Sequence, residues 1–189
     1  MLKQQQTQFY LGTLTSKSIN MSRKYVMNWL LYWLEFNKLI KNFGTIVWDI
    51  DDTLVDNEEN IIKPTHYVYK EAEKLGFKNV IVTARPDFPH NRKLTEKMLN
   101  DNRIETCHHV YMMPSDLNPT EKSISKFKKD SRNEINMKYG RIIAYIGDQF
   151  TDGYIFPSKI RGLSHRSEEE TAIAFIPGET GVFIKLPGK

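Results

Sequence analysis

Two short acidic runs stand directly after apolar stretches, Asp49-Ile50-Asp51-Asp52 and Asp148-Gln149-Phe150-Thr151-Asp152. Each follows a stretch that reads as a buried strand: Thr45 to Trp48 and Arg141 to Ile146 are dominated by β-branched, aliphatic and aromatic residues. A strand that ends in acids is badly placed for packing and well placed for chemistry. Open parallel sheets bind ligands just outside the carboxyl ends of their strands. Asp49 and Asp51 are two apart, so they can point the same way where the strand ends. A third apolar run, Lys78 to Val82, ends at Thr83-Ala84-Arg85, which brings a hydroxyl and a guanidinium. A basic stretch, Phe127-Lys128-Lys129-Asp130-Ser131-Arg132, lies between that strand end and the last acidic run. The plainer reading of the first run is a strand followed by an acidic turn.

The elements that must position these residues are legible in order. Residues 1–21 are polar, with Gln4 to Gln6 and scattered Ser and Thr, and read as a flexible arm before a single domain spanning 22–189. Helical spacing predicts a helix over 23–42, with Gly44 as its stop. The centre of that helix, Trp29 to Leu34, is apolar all round and needs cover on more than one side. It could pack across its own sheet, form a partner or homodimer interface, or lie on a membrane surface. The apolar run is too short to span a bilayer, so no transmembrane segment is expected, and no small-residue cleavage site follows. Further helices are predicted from Pro64 to about Leu75, over 90–102 and from about Thr120 to Lys138, Asn118-Pro119-Thr120-Glu121 reading as a cap with proline just inside. Strands are expected over 108–113, 172–176 and 181–186. Strands alternating with helices imply right-handed crossovers and an α/β fold: a Rossmann-like, mostly parallel sheet with helices on both faces.

Bulk composition narrows the function classes. The chain has 189 residues and a formal charge of +4. Residues 1–44 hold six Lys and Arg against one acid, Glu35, and the rest of the chain is close to neutral. The basic surplus thus belongs to the N-terminal segment. Nucleic acid is possible as a partner but is not indicated by the charge of the rest of the chain. The single cysteine, Cys107, excludes an intrachain disulfide and fits a reducing, cytoplasmic setting.

The order of the reactive groups resembles the haloacid dehalogenase (HAD) superfamily, phosphatase branch: Asp49-x-Asp51-x-Thr53, then Thr83, then Lys128, then Asp148 and Asp152. In finer detail Asp-Ile-Asp-Asp-Thr, Lys128-x-x-x-Arg132 and Gly147-Asp148-Gln149, with Phe183 to Pro187 at the end, are similar to the HAD acid phosphatases of the class B and vegetative-storage-protein kind. The resemblance implies a Mg²⁺-dependent phosphomonoester hydrolase working through an aspartyl-phosphate. It assigns Asp49 as nucleophile and Asp51 as general acid/base. Asp49, Asp148, the backbone carbonyl of Asp51, and Asp152 directly or through a water, would serve Mg²⁺. Thr83, Lys128 and Arg85 would contact the phosphoryl group.

Physical chemistry agrees with those roles. Two unit charges 4 Å apart repel by about 4 kcal/mol at an effective dielectric near 20, and a phosphate dianion makes that worse. A carboxylate nucleophile therefore needs a divalent cation and a positive side chain beside it. Mg²⁺ prefers oxygen ligands. Several alternatives stay open at this stage. Lys129 competes with Lys128. Asp52 reads as a solvated or capping acid, and Asp152 could only cap a helix. Arg85 could pair with an acid rather than touch substrate. Cys107-His108-His109 does not read as a metal site, since neighbours on a strand face opposite ways. Neither the gap after Val55 nor that after Pro86 is long enough for a large cap domain. An open site could take a small phosphomonoester or the end of a polymer, a polynucleotide or phosphoprotein. A non-catalytic binding or storage protein on the same fold is the rival class.

Overall fold

The computed structural model describes residues 19–104, 108–149, 152, 172–175 and 181–187. Most of the stretch read as an arm, and Cys107, lie outside the described residues. Ten elements follow in the order α1 (Ile19–Leu39), β1 (Thr45–Trp48), α2 (Lys63–Lys74), β2 (Lys78–Pro86), α3 (Pro89–Asp101), β3 (His109–Met113), α4 (Glu121–Tyr139), β4 (Ile142–Gly147), β5 (Ala172–Phe175) and β6 (Val182–Lys185). The sheet order is β3-β2-β1-β4-β6-β5. Every neighbouring pair is parallel except β5 and β6, so the mostly parallel α/β sheet expected from the sequence is what forms.

The two faces of the sheet bury different sets of side chains. Ile46 and Trp48 of β1 and Ile81 of β2 meet α1, α2 and α3 through Leu30, Leu34, Val68, Tyr69, Met98 and Leu99. Val47, Val80, Val82 and Tyr145 point the other way, towards Ile135 of α4. That split follows from strand periodicity and from two crossovers running one way before β3-α4-β4 returns on the far face. Trp48 is held in register by its indole N–H, which donates to Asn79 Oδ1 at 2.9 Å, while the Asn79 amide donates to the Tyr69 carbonyl at 3.0 Å. The chain departs from β1 to one side and returns through β4 on the other. The carboxyl ends of β1 and β4 therefore flank the point where the topology switches direction, the place where such sheets bind ligands.

Two local expectations need correction. The helix predicted over 23–42 runs from Ile19 to Leu39, and Gly44 does not stop it. The Asn42 N–H donates to the Asn37 carbonyl and the Lys41 N–H to the Lys38 carbonyl, with Lys41 at a φ of 55°. This is a Schellman-type ending with lysine in the left-handed position. Gly44 is small for another reason: a Cβ there would lie 2.3 Å from the Arg141 carbonyl and 2.8 Å from Ile143, so only glycine lets β1 start this close to β4. The second correction concerns α4. Thr120 is its cap, exchanging hydrogen bonds with Ser123 in a capping box, and Pro119 lies just outside the helix. The segments from β1 to β2 and from β2 to β3 carry α2 and α3, with no inserted domain among the described residues. No described helix is long and apolar enough to cross a membrane.

Candidate active site

Asp49 leaves β1 with its N–H donating to the Ile146 carbonyl of β4 at 2.9 Å. Asp148 is the first residue after β4. Parallel pairing of β1 with β4 therefore sets the two acids side by side. Asp152 joins them through Gln149: the Asp152 N–H donates to the Gln149 carbonyl at 3.1 Å, and the Gln149 N–H donates to Asp152 Oδ2 at 2.9 Å. Gly147 makes room for that carboxylate. A Cβ on it would stand 1.9 Å from Asp152 Oδ2. Each of Asp49, Asp148 and Asp152 offers a carboxylate oxygen within 4.8 Å of the others, and all three residues are buried.

One lysine faces this group from the other side of the sheet. Lys128 of α4 is buried, 3.0 Å from Asp49 Oδ1, and also donates to Asp152 Oδ1. Lys128 thus stands against two of the three acids. Arg132, one turn on, donates to the main-chain carbonyl of Asp152 and lies over the Tyr145 ring, 5.2 Å from its centroid. Beneath the acids Val47, Val82, Tyr145 and Ile146 line a small cavity shared with Asp49, Lys128, Arg132 and Asp152. Water is largely excluded here, which strengthens every charge–charge term.

The electrostatics follow from that burial. Asp49 is pushed well above the usual carboxylate range, first by loss of water and then by Asp152, Asp148 and Asp51, against the pull of Lys128. Asp148 is raised to about 6 by burial and by Asp152, with the Gln149 amide bond at 2.8 Å pulling it back. Burial works against the charge on Lys128, but Asp152 and Asp49 more than offset it and raise the ammonium above its ordinary value. Three carboxylates with one ammonium leave the cluster short of about two positive charges. That deficit and the all-oxygen donor set fit a hard divalent cation. Asp49, Asp148 and Asp152 would hold it.

Asp51 stands apart from the group. Its side chain is 55% exposed, against 9% for Asp49. The Arg85 guanidinium grips it with two nitrogens, Nη2 donating to Oδ1 at 2.7 Å and Nε to Oδ2 at 3.1 Å. Glu59 lies 3.6 Å from the same guanidinium. Arg85 thus pairs with acids in this state. Thr83 is fully buried, its hydroxyl accepting the Arg85 N–H at 3.2 Å. Asp52 takes a φ of 51°, and its main-chain carbonyl accepts from Arg23 of α1 at 2.7 Å.

Sequence reasoning left three residues of this neighbourhood without a role. Arg132 carried a signal, since four residues from Lys128 on a helix means the same face. Gln149 follows Asp148 directly in the Gly147-Asp148-Gln149 motif. Arg23 carried no signal, being one basic residue among six in its segment. The arrangement can bind a divalent cation, set a carboxylate against an electrophile and offer a second, solvent-facing carboxylate for proton transfer. Among known proteins, the family model described as HAD superfamily, subfamily IIIB (acid phosphatase) matches residues 58–161, which takes in Thr83, Lys128, Asp148 and Asp152 and begins beyond Asp49 and Asp51. A comparison with curated proteins finds no match.

Proposed function

The chain belongs to the HAD superfamily, subfamily IIIB, the acid phosphatases, and on that premise we propose a Mg²⁺-dependent phosphomonoester hydrolysis through an aspartyl-phosphate on Asp49. The observation that carries this reading is the meeting of Asp49, Asp148, Asp152 and Lys128 at the carboxyl ends of β1 and β4.

Asp49 would attack phosphorus, forming a bond from its carboxylate oxygen as the ester oxygen departs. Asp51, exposed and two residues on, would give that oxygen its proton. It would then take a proton from the water that attacks the aspartyl-phosphate and releases inorganic phosphate. Lys128 would neutralise Asp49 and a phosphoryl oxygen as a point charge. Thr83 would donate its hydroxyl to another phosphoryl oxygen. Arg85 would turn from Asp51 towards substrate or hold that carboxylate in place between turnovers. Mg²⁺, held by Asp49, Asp148 and Asp152 with the backbone carbonyl of Asp51, would supply charge neutralisation for the phosphoryl group.

The test is turnover of a phosphomonoester panel containing nucleotides, sugar phosphates, phosphopeptides and 3′-phosphorylated oligonucleotides, with Mg²⁺ and after its removal by EDTA. Loss with EDTA and return with Mg²⁺ is expected. Full turnover by metal-stripped protein would refute the cation's role.

A further inference from the structure

Arg23 is a buried cation far in sequence from every residue assigned a role above. It sits in α1, yet its Nη1 donates to the main-chain carbonyl of Asp52 at 2.7 Å and its Nη2 donates to the main-chain carbonyl of Pro187. Asp52 follows Asp51 directly and takes a φ of 51°, in the left-handed region that Asp adopts more readily than most residues. Pro187 follows Leu186, whose N–H donates to the Gly147 carbonyl at 2.7 Å. The second carbonyl therefore belongs to a segment laid along the turn that carries Asp148. One guanidinium joins the first acidic run to the segment paired with the strand end that leads into the second.

Burying that charge is costly, and two carbonyls with the nearby charges of Asp52 and Asp148 offset the cost only in part. An apolar side chain at position 23 would cover the same core more cheaply. What it would not do is hold the peptide that follows Asp51.

We propose that Arg23 is a positioning residue for Asp51: by clamping the Asp52 peptide to the Pro187 segment, it presents the Asp51 carboxylate from a fixed main chain. The proposal rests on Asp51 being the general acid/base. Arg85 already tethers the carboxylate itself. With the main chain fixed from the α1 side, Asp51 can swing from Arg85 to a leaving oxygen by side-chain torsions alone.

Arg23→Lys and Arg23→Met test this against Met27→Ala, which removes buried packing from the same helix and leaves the clamp. On an alkyl phosphate, whose leaving oxygen needs a proton, Arg23→Lys should lower kcat about 10- to 100-fold, the scale of a displaced catalytic group, with KM little changed. On an activated aryl phosphate the loss should shrink to a few-fold. In an Asp51→Asn background, first-turnover release of the alcohol should fall no further when Arg23→Lys is added. Arg23→Met should lose at least as much as Arg23→Lys, whose ammonium can still meet one carbonyl. If Arg23→Met fails to fold, Arg23→Lys carries the comparison alone. Equal losses on both substrates, additivity with Asp51→Asn, or a matching loss in Met27→Ala would overturn the proposal. Undiminished kcat in both Arg23 variants of an active enzyme would overturn it too, and leave the hydrolase reading standing. Absence of turnover in the unaltered protein would remove both.

Discussion

Asp49 and Asp51 stand two residues apart and meet opposite surroundings, one buried against Lys128 and the other in solvent on Arg85. Opposite surroundings suit opposite tasks. Asp49→Asn should abolish phosphoryl transfer, since an amide is a very poor nucleophile, and intact-mass analysis should find no phosphate on the variant. Asp51→Asn should cost roughly 10²–10⁴-fold on alkyl phosphates and far less on activated aryl phosphates. A phosphorylated Asp49 accumulating in that variant would mark the stalled second step. Asp148 makes a separate prediction about stability. Its carboxyl is raised to about 6 in the fold, from an ordinary 3.8. Between those values the folded chain binds the proton more tightly than the unfolded chain does. Without metal, this group therefore costs stability as pH rises through that window, and the full penalty is present above about pH 6. The shift corresponds to a penalty on the order of 3 kcal/mol. Asp49, raised in the same direction, adds to it. Metal-free protein should thus melt higher near pH 5 than near pH 7 as far as this cluster is concerned. Asp148→Asn should flatten that slope while abolishing activity, and melts across pH in EDTA decide it.

The elements that carry the site are braced from behind. Helix α1 buries Val26, Met27, Leu30 and Leu34 in the core and turns Tyr25, Tyr32, Phe36 and Leu39 outward. Leu30 is fully buried, so Leu30→Ala should cost about 2–5 kcal/mol in chemical denaturation. Tyr32→Ser, on the exposed face, should stay within roughly 0.5 kcal/mol of the unaltered chain. A fragment lacking residues 1–44 would uncover the sheet face under α1 and should aggregate; a monomeric, cooperatively melting fragment would show that the helix is an appendage. At the other end of the sheet, the turn after β4 depends on Gly147. Gly147→Ala places a methyl group where Asp152 Oδ2 now sits. Asp152 would be driven off Lys128. Turnover should be lost and Mg²⁺ binding, read by calorimetry, weakened.

For the whole molecule, the central fact is a buried group of acids that only the folded chain assembles. Asp49, Asp148 and Asp152 come from two strand ends and a turn, and the unfolded chain cannot offer them together. A cation that binds only the native state stabilises it by mass action, by about 2.7 kcal/mol at a hundred times its dissociation constant. Mg²⁺ should therefore raise the melting temperature, more at pH 7 than at pH 5, where protons compete for the same oxygens. No shift with Mg²⁺ at pH 7 would argue that the acids do not form a cation site. With no inserted domain after β1 or β2 among the described residues, the Asp51 carboxylate is exposed while its partner Arg85 is mostly covered.

The alternation of strands and helices, the acids at strand ends and the Asp49, Thr83, Lys128, Asp148 order were legible in the chain alone. Each is a property of neighbours: side-chain periodicity of two or 3.6, apolar runs that stop at polar ones, and short spacings between acids. Only the tertiary structure set Lys128 against Asp49 and Asp152, because adjacent residues on a helix differ by about 100° and the packing on the sheet decides which side is inward. It also moved the end of α1 from Gly44 to Lys41 and gave Gly44 a different task, since the close approach of Arg141 is invisible locally. It set Asp51 on Arg85 across 34 residues. It joined Arg23 to Asp52 and Pro187 across 29 and 164 residues. Contacts at such separations leave no periodic trace in the sequence; they exist only once β1 pairs with β4 and α1 joins the same core.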